Sequence, residues 1–272
     1  MYIRDLLGLD HINLNYLVLR TPTKYLKYGR LLYEYKHDDY HCWVKTQLTD
    51  HHEQFEQGFQ RELAFYKEAS QALDSIVIDH VILKLESKSP YFLFGKECLV
   101  LPHVQALFKE DVTNFTLDQV IQKIILALCA LEKLHIQGWI HGDLKKEHFC
   151  LEKKTVKLFD FEQCIQIIDT HSYKMNATPR YMAPELFQGC AKSTSSDIYA
   201  LGIIILEWLK QEAFSAKTYH DWAILHCQKL EIELPQHFLE FKPLLKMMLA
   251  KHKSQRVTEF SALKMRLLID IV

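Results

Sequence analysis

His141-Gly142-Asp143-Leu144-Lys145-Lys146-Glu147-His148 decides how this chain is read. The stretch puts an acid, lysines and an imidazole into one short loop. Further on, an apolar run delivers a second acid: Val156-Lys157-Leu158-Phe159-Asp160-Phe161-Glu162. Then comes Ala177-Thr178-Pro179-Arg180-Tyr181-Met182-Ala183-Pro184-Glu185. A carboxylate at the end of an apolar strand suits a cation ligand on a rigid support. The order of the three stretches matters more than any one of them.

The bulk of the chain sets limits on what these residues serve. At 272 residues it can bury a real core, as one large domain or two fused lobes. Hydrophobic residues make up 49% and charged residues 25%, the balance of an ordinary globular protein. A formal net charge of −1 gives no electrostatic footprint for nucleic acid or an anionic membrane. The longest apolar run, Ala200 to Leu209, is interrupted by Glu207 and is too short to span a bilayer. The start, Met1-Tyr2-Ile3-Arg4-Asp5, lacks the apolar stretch of a signal peptide. Seven scattered cysteines with no CxxC pair read as reduced thiols of a cytoplasmic protein. The adjacent histidines His51 and His52 diverge on any regular element and make a poor metal pair.

Strands come first and helices afterwards. Tyr16 to Leu19, Leu31 to Tyr35 and His41 to Lys45 have β-type composition. Phe55, Phe59, Leu63 and Tyr66 recur at helical spacing and mark an amphipathic helix. Val77 to Leu85 and Tyr91 to Leu101 read as two more strands around a Lys88-Ser89-Pro90 turn. Thr116-Leu117-Asp118-Gln119 forms a capping box for a helix with a wide apolar stripe through Leu134. Ser195-Ser196-Asp197 reads as the cap of another apolar helix, Ile198 to Leu209. The expectation is an α+β chain, a single domain over 1–272. Its β-rich lobe runs to about 101, with a hinge near 101–104 and a helical lobe over 105–272.

The three quoted stretches resemble the catalytic loop, metal loop and activation-segment end of the protein kinase superfamily. The resemblance covers roughly residues 15 to 265. It implies a bilobal fold, ATP as the cofactor with magnesium or manganese, and a protein substrate. Asp143 matches the acid that orients the acceptor hydroxyl, and Lys145 the lysine that neutralises the transferred phosphoryl. Asp160 matches the main cation ligand. Lys45, at the end of a strand, matches the lysine that holds the α/β-phosphates, and Glu62 its ion-pair partner. Leu31, Leu101 and His103 would meet the nucleotide, with Leu99-Val100-Leu101-Pro102-His103-Val104 as the hinge. Thr178 would contact the catalytic acid. Glu185 would pair with Arg256, and Asp197 would hold the catalytic loop's backbone.

The departures are as specific as the matches. Lys24, Leu26 and Gly29 stand where the family has a glycine-rich phosphate loop. Losing two glycines weakens nucleotide binding or changes the loop's course. Lys24 and Lys27 either supply charge there or form a solvated edge. His148 replaces the asparagine that binds a second magnesium, and imidazole suits manganese or zinc better. Glu162 replaces a glycine and either ligates a cation or points to solvent. Gly142 replaces an arginine that receives an activation-loop phosphate, so no strict phosphorylation switch is expected.

The reading that follows is a small cytoplasmic serine/threonine-type kinase of bacterial aspect, binding neither nucleic acid nor membrane. One alternative is a pseudokinase, a non-catalytic nucleotide-binding or protein-interaction module, which the lost glycines and His148 favour. The other is a small-molecule or glycolipid kinase of the same fold, suggested by His148-Phe149, since that pair also occurs in bacterial lipopolysaccharide-core kinases.

Overall fold

The computed structural model describes residues 16–37, 40–72, 76–84, 97–152, 154–169 and 177–269. The chain divides into two compact units. One holds the described residues up to Val104 together with Asp160–Glu162, and the other holds Gln105–Phe159 with the residues from Gln163 onward.

The first unit is a five-stranded antiparallel sheet and one long helix. Its strands are β1 (Leu17–Leu19), β2 (Arg30–His37), β3 (Tyr40–Gln47), β4 (Val81–Lys84) and β5 (Glu97–Pro102), in the order β1-β2-β3-β5-β4. Leu31, Tyr33 and Tyr35 alternate along β2 and join Cys42, Val44, Cys98 and Val100 in one core cluster. That period of two is the sheet pattern, and it leaves Lys45 on the face opposite Val44. Between β1 and β2 lies a short helix, α1 (Thr23–Leu26), followed by a turn that reaches Gly29. Helix α2 (Glu53–Ala72) buries Phe59, Glu62, Leu63 and Tyr66, the spacing of one helical face.

One strand expectation is corrected here, and another is described only in part. The strand expected from Val77 begins at Val81, because Ile76, Val77 and Ile78 are buried outside the ladder that pairs β4 with β5. The other begins at Glu97 among the described residues; 91–96 and the turn at 88–90 lie outside them.

The second unit is built around two helices. Helix α3 (Leu117–Ile136) opens on a capping box in which Thr116 and Gln119 exchange hydrogen bonds. Helix α4 (Pro184–Phe187) is a single turn. Helix α5 (Thr194–Lys210) is buried from Ser195 to Leu209. Its cap is Ser193, with Ser196 at the third position, rather than the expected Ser195-Ser196-Asp197. Capping from Ser193 moves Asp197 one turn inside the helix, where its carboxylate can serve another segment. Gly202 lets Leu249 approach α5 so closely that an added Cβ would lie 2.8 Å from its Cδ2. Helices α6 (Tyr219–Ile224), α7 (Lys242–Met248) and α8 (Phe260–Ile269) complete the helical layer. Short antiparallel strands carry the loops: β6 (Gln105–Ala106), β8 (Phe149–Glu152) and β9 (Thr155–Leu158) in one sheet, β7 (Trp139–Ile140) and β10 (Ile165–Gln166) in another.

Candidate functional site

In the first unit, charge gathers on Lys45. Its Nζ lies 2.7 Å from Glu62 Oε2, 2.7 Å from Asp160 Oδ1 and 2.6 Å from Glu162 Oε1. Strand β3 presents the lysine and α2 presents Glu62. Asp160 and Glu162 arrive on a segment that Phe161 fixes in place, its ring stacked on Phe65 at 4.0 Å and edge-on to Tyr66 at 5.5 Å. Asp160 has φ +66°, a left-handed conformation that a short polar side chain tolerates better than most. Burial pushes the Glu62 carboxyl above its ordinary range, Lys45 pulls it back, and Asp160 pushes it up again. Direct contact with Lys45 offsets part of the cost of burying these acids.

Glu162 does not simply point to solvent. Its Oε1 also takes Arg30 Nη1, so the two cationic heads meet on one carboxylate oxygen. Arg30 is fixed from behind: Nε donates to Gln47 Oε1 at 2.9 Å and Nη2 to the Phe55 carbonyl at 3.1 Å. The expected phosphate-loop residues lie differently. Lys24 is exposed on α1 with its ammonium 4.8 Å over the Tyr25 ring, and Leu26 packs toward the core cluster. Without the glycines the chain has folded this stretch into a helical turn. Gly29, φ +74°, allows the approach of Gln47 and His51, each 2.8 Å from where a Cβ would stand. Leu31 is buried in the core cluster. Leu101 is buried opposite Trp43 in the β3–β5 ladder, and His103 is exposed, its ring stacked on His41 at 3.8 Å.

One carboxylate oxygen from each of Glu62, Asp160 and Glu162 lies within 4.8 Å of the others. An all-oxygen set fits a hard divalent cation such as magnesium or manganese rather than zinc.

In the second unit, Asp197 organises the other motif. From inside α5 its carboxylate accepts from the His141 amide at 2.8 Å and the Gly142 amide at 2.9 Å, and meets His135 Nε2 at 3.0 Å. Burial works to raise its pKa, and His135, His141 and the Gly142 amide outweigh it, so the group lies below its usual value. Gly142 has φ +76°, and a Cβ there would sit 2.6 Å from the Gln163 carbonyl and 2.9 Å from Lys192 Cδ. Lys192, a residue from the approach to α5, therefore lies directly over Gly142.

Asp143 follows immediately. It accepts from the Thr178 amide at 2.8 Å and pairs with Lys145 Nζ at 2.9 Å. Burial raises its carboxyl pKa, but Lys145, His148 and the Thr178 amide hold it below the ordinary range. His148 is buried, its ring 5.4 Å from that of His141 and nearly parallel to it. The segment after Thr178 is tied down twice. Arg180 grips Glu207 through two hydrogen bonds of 2.8 and 2.7 Å. Arg256 grips buried Glu185 at 2.6 and 3.0 Å and also reaches the Ser195 and Ala250 carbonyls.

Sequence reasoning found Lys45, Glu62, Asp143, Lys145, Asp160, Asp197, Glu185 and Arg256 by motif spacing. It missed Arg30, Lys192 and the Arg180–Glu207 pair. Only one hint existed: Arg30 directly follows the glycine that ends the altered loop.

The family model "Protein kinase domain" matches residues 30–268. The match begins just past the altered phosphate-loop stretch. The chain is 30% identical over 171 residues to "Ribosomal protein S6 kinase beta" of Caenorhabditis elegans, covering 61% of this chain and 30% of that protein. It is 29% identical over 172 residues to "cAMP-dependent protein kinase, catalytic subunit-like" of Caenorhabditis briggsae, covering 61% and 42%. It is 30% identical over 153 residues to "Serine/threonine-protein kinase ste20" of Aspergillus oryzae, covering 50% and 18%. In each case the matched stretch spans less than half of the relative's length.

Proposed function

Because the chain belongs to the protein kinase family, we propose that it transfers the terminal phosphoryl group of ATP to serine or threonine hydroxyls of a protein. The reaction calls on both sets of residues. Asp143 orients the acceptor hydroxyl and takes its proton as the new oxygen–phosphorus bond forms. A depressed pKa suits this late, assisting role, since positioning and charge stabilisation supply most of the acceleration. Lys145 holds the transferred phosphoryl against Asp143. Lys45 holds the nucleotide's phosphates, and the bond from the terminal phosphorus to the bridging oxygen breaks to release ADP. Asp160 would hold the divalent cation, which neutralises charge on the leaving phosphates when bound. His148 stands at the motif's second cation position, and an imidazole there favours manganese over magnesium. Leu101 and His103 would border the adenine.

The observation that carries this reading is the Asp143 carboxylate, fixed by Lys145 and the Thr178 amide on a loop clamped by Asp197. The test is transfer from labelled ATP to a generic protein acceptor, with magnesium and with manganese. Asp143→Asn should lower transfer by about 10²–10⁴ while leaving nucleotide binding nearly intact. Equal transfer in both proteins would overturn the assignment.

The pseudokinase reading draws on a specific observation, the helical turn α1 in place of a phosphate loop. Nucleotide binding with no transfer under either metal would favour it. The Thr178 to Glu185 segment, fastened at Arg180 and Glu185, supports a protein acceptor over a small molecule. All seven cysteines are free thiols, which supports a reducing, cytoplasmic setting.

A further inference from the structure

We propose that the Glu162 carboxylate stands in for a nucleotide phosphate. It occupies Lys45 and Arg30 until a phosphate displaces it, and Arg30 then makes the phosphate contact that a glycine-rich loop would otherwise supply. The inference rests on the reading that Lys45 binds nucleotide phosphates.

Three features carry it. First, Lys45 Nζ and Arg30 Nη1 converge on the single oxygen Glu162 Oε1. Two cations meeting at one anionic oxygen form a place that a phosphate oxygen can take, with more charge than a carboxylate offers. Second, Arg30 is arranged to present that nitrogen. Gln47 holds Nε, the Phe55 carbonyl holds Nη2, and the guanidinium lies 5.2 Å from the Phe59 ring centroid. Little side-chain freedom remains to be lost when the contact is exchanged. Arg30 opens β2 directly after Gly29, at the point where the phosphate-loop stretch feeds into the sheet.

Third, the charge balance makes Glu162 a competitor rather than a bystander. Lys45 is shared by Glu62, Asp160 and Glu162, so these three acids compete for the same cationic head. Glu62 is fully buried against Lys45 and cannot leave without stranding a charge. Glu162 differs from it. It belongs to a single 3₁₀ turn, its backbone is held separately by Arg61 Nε at 3.2 Å, and its carboxylate ends three rotatable bonds. The carboxylate can swing away while Phe161 stays in its stack.

The test is calorimetric titration of magnesium-ADP, and of tripolyphosphate as a probe without adenine. The proteins are wild type, Glu162→Gln, Arg30→Met, Glu162→Gln with Arg30→Met, and Lys45→Met. Glu162→Gln keeps the shape and removes the competing charge. It should tighten both ligands on the order of tenfold, the scale of one close charge at a part-buried site. Arg30→Met in that background should return most of the gain. Glu162→Gly, the family's residue at that position, should move affinity in the same direction, so a folding defect peculiar to the glutamine variant does not decide the matter. Near-ultraviolet circular dichroism checks that each variant keeps its packed core.

If Lys45→Met weakens binding while both Glu162 variants bind no more tightly than wild type, Glu162 is a structural ion-pair partner and the proposal fails. If Lys45→Met binds as tightly as wild type, the underlying placement of the phosphates fails, and this inference falls with it. The two failures are therefore told apart by the Lys45 variant.

Discussion

Gly142 shows how narrowly a single residue can be specified. Its backbone lies in the left-handed region, where a side chain costs about 1–2 kcal/mol from local sterics alone. The larger obstacle is the Gln163 carbonyl, 2.6 Å from where a Cβ would stand, because backbone cannot yield as a flexible side chain can. Gly142→Ala should therefore shift the loop that carries Asp143 and lose stability by more than the conformational cost alone. Urea unfolding beside a transfer assay would register both, and an unchanged midpoint would refute the argument. The same loop explains why a missing arginine was legible but its replacement was not. The sequence motif shows the arginine absent at 142, whereas Lys192 comes over Gly142 from a different stretch of chain. His226 gives a pH expectation. Burial holds its imidazole down to about 4, with Tyr199 Oη 2.9 Å from Nδ1. Between pH 6.5 and about 4 the unfolded imidazole takes a proton that the folded one refuses. Stability should fall across that window, by up to about 3 kcal/mol, and be indifferent to this group above it. His226→Phe should flatten the fall in unfolding temperature over that range; an unchanged slope would assign it to other groups.

At the scale of elements, α5 does the most for the site. Its apolar side chains set its burial, and its cap sets its starting point. Ser193 and Ser196 exchange hydrogen bonds at the first turn, so Asp197 faces the amides of His141 and Gly142. Ser193→Ala should cost about 1 kcal/mol, the usual worth of such a cap, measured by denaturant unfolding. The catalytic loop should loosen with it, seen as faster hydrogen exchange at the Gly142 amide. Unchanged exchange there would mean that packing, not the cap, positions Asp197. Helix α1 is the opposite case. The sequence shows that a glycine loop is missing, because glycine's role is local and its absence can be read residue by residue. What replaces the loop depends on the packing of Leu26 toward the β2–β3 core, and local composition did not reveal a helical turn.

The described residues of the molecule divide into two compact units. Asp160–Glu162 is the exception, for this short segment belongs with the first unit although its chain neighbours belong to the second. The sequence by itself determined the protein kinase family, the α+β order, and the acids and lysines of the motifs. Those features rest on hydrophobic periodicity and on motifs whose residue types and order match the family's. Only the tertiary structure decided that Glu162 would take Lys45 and Arg30, that Lys192 would close over Gly142, and that Arg180 would find Glu207. Two of those partnerships join charges far apart in the chain, and the third lays a lysine over a glycine fifty residues earlier. Coulombic attraction and desolvation act on distance in space, and neither leaves a periodic trace in sequence.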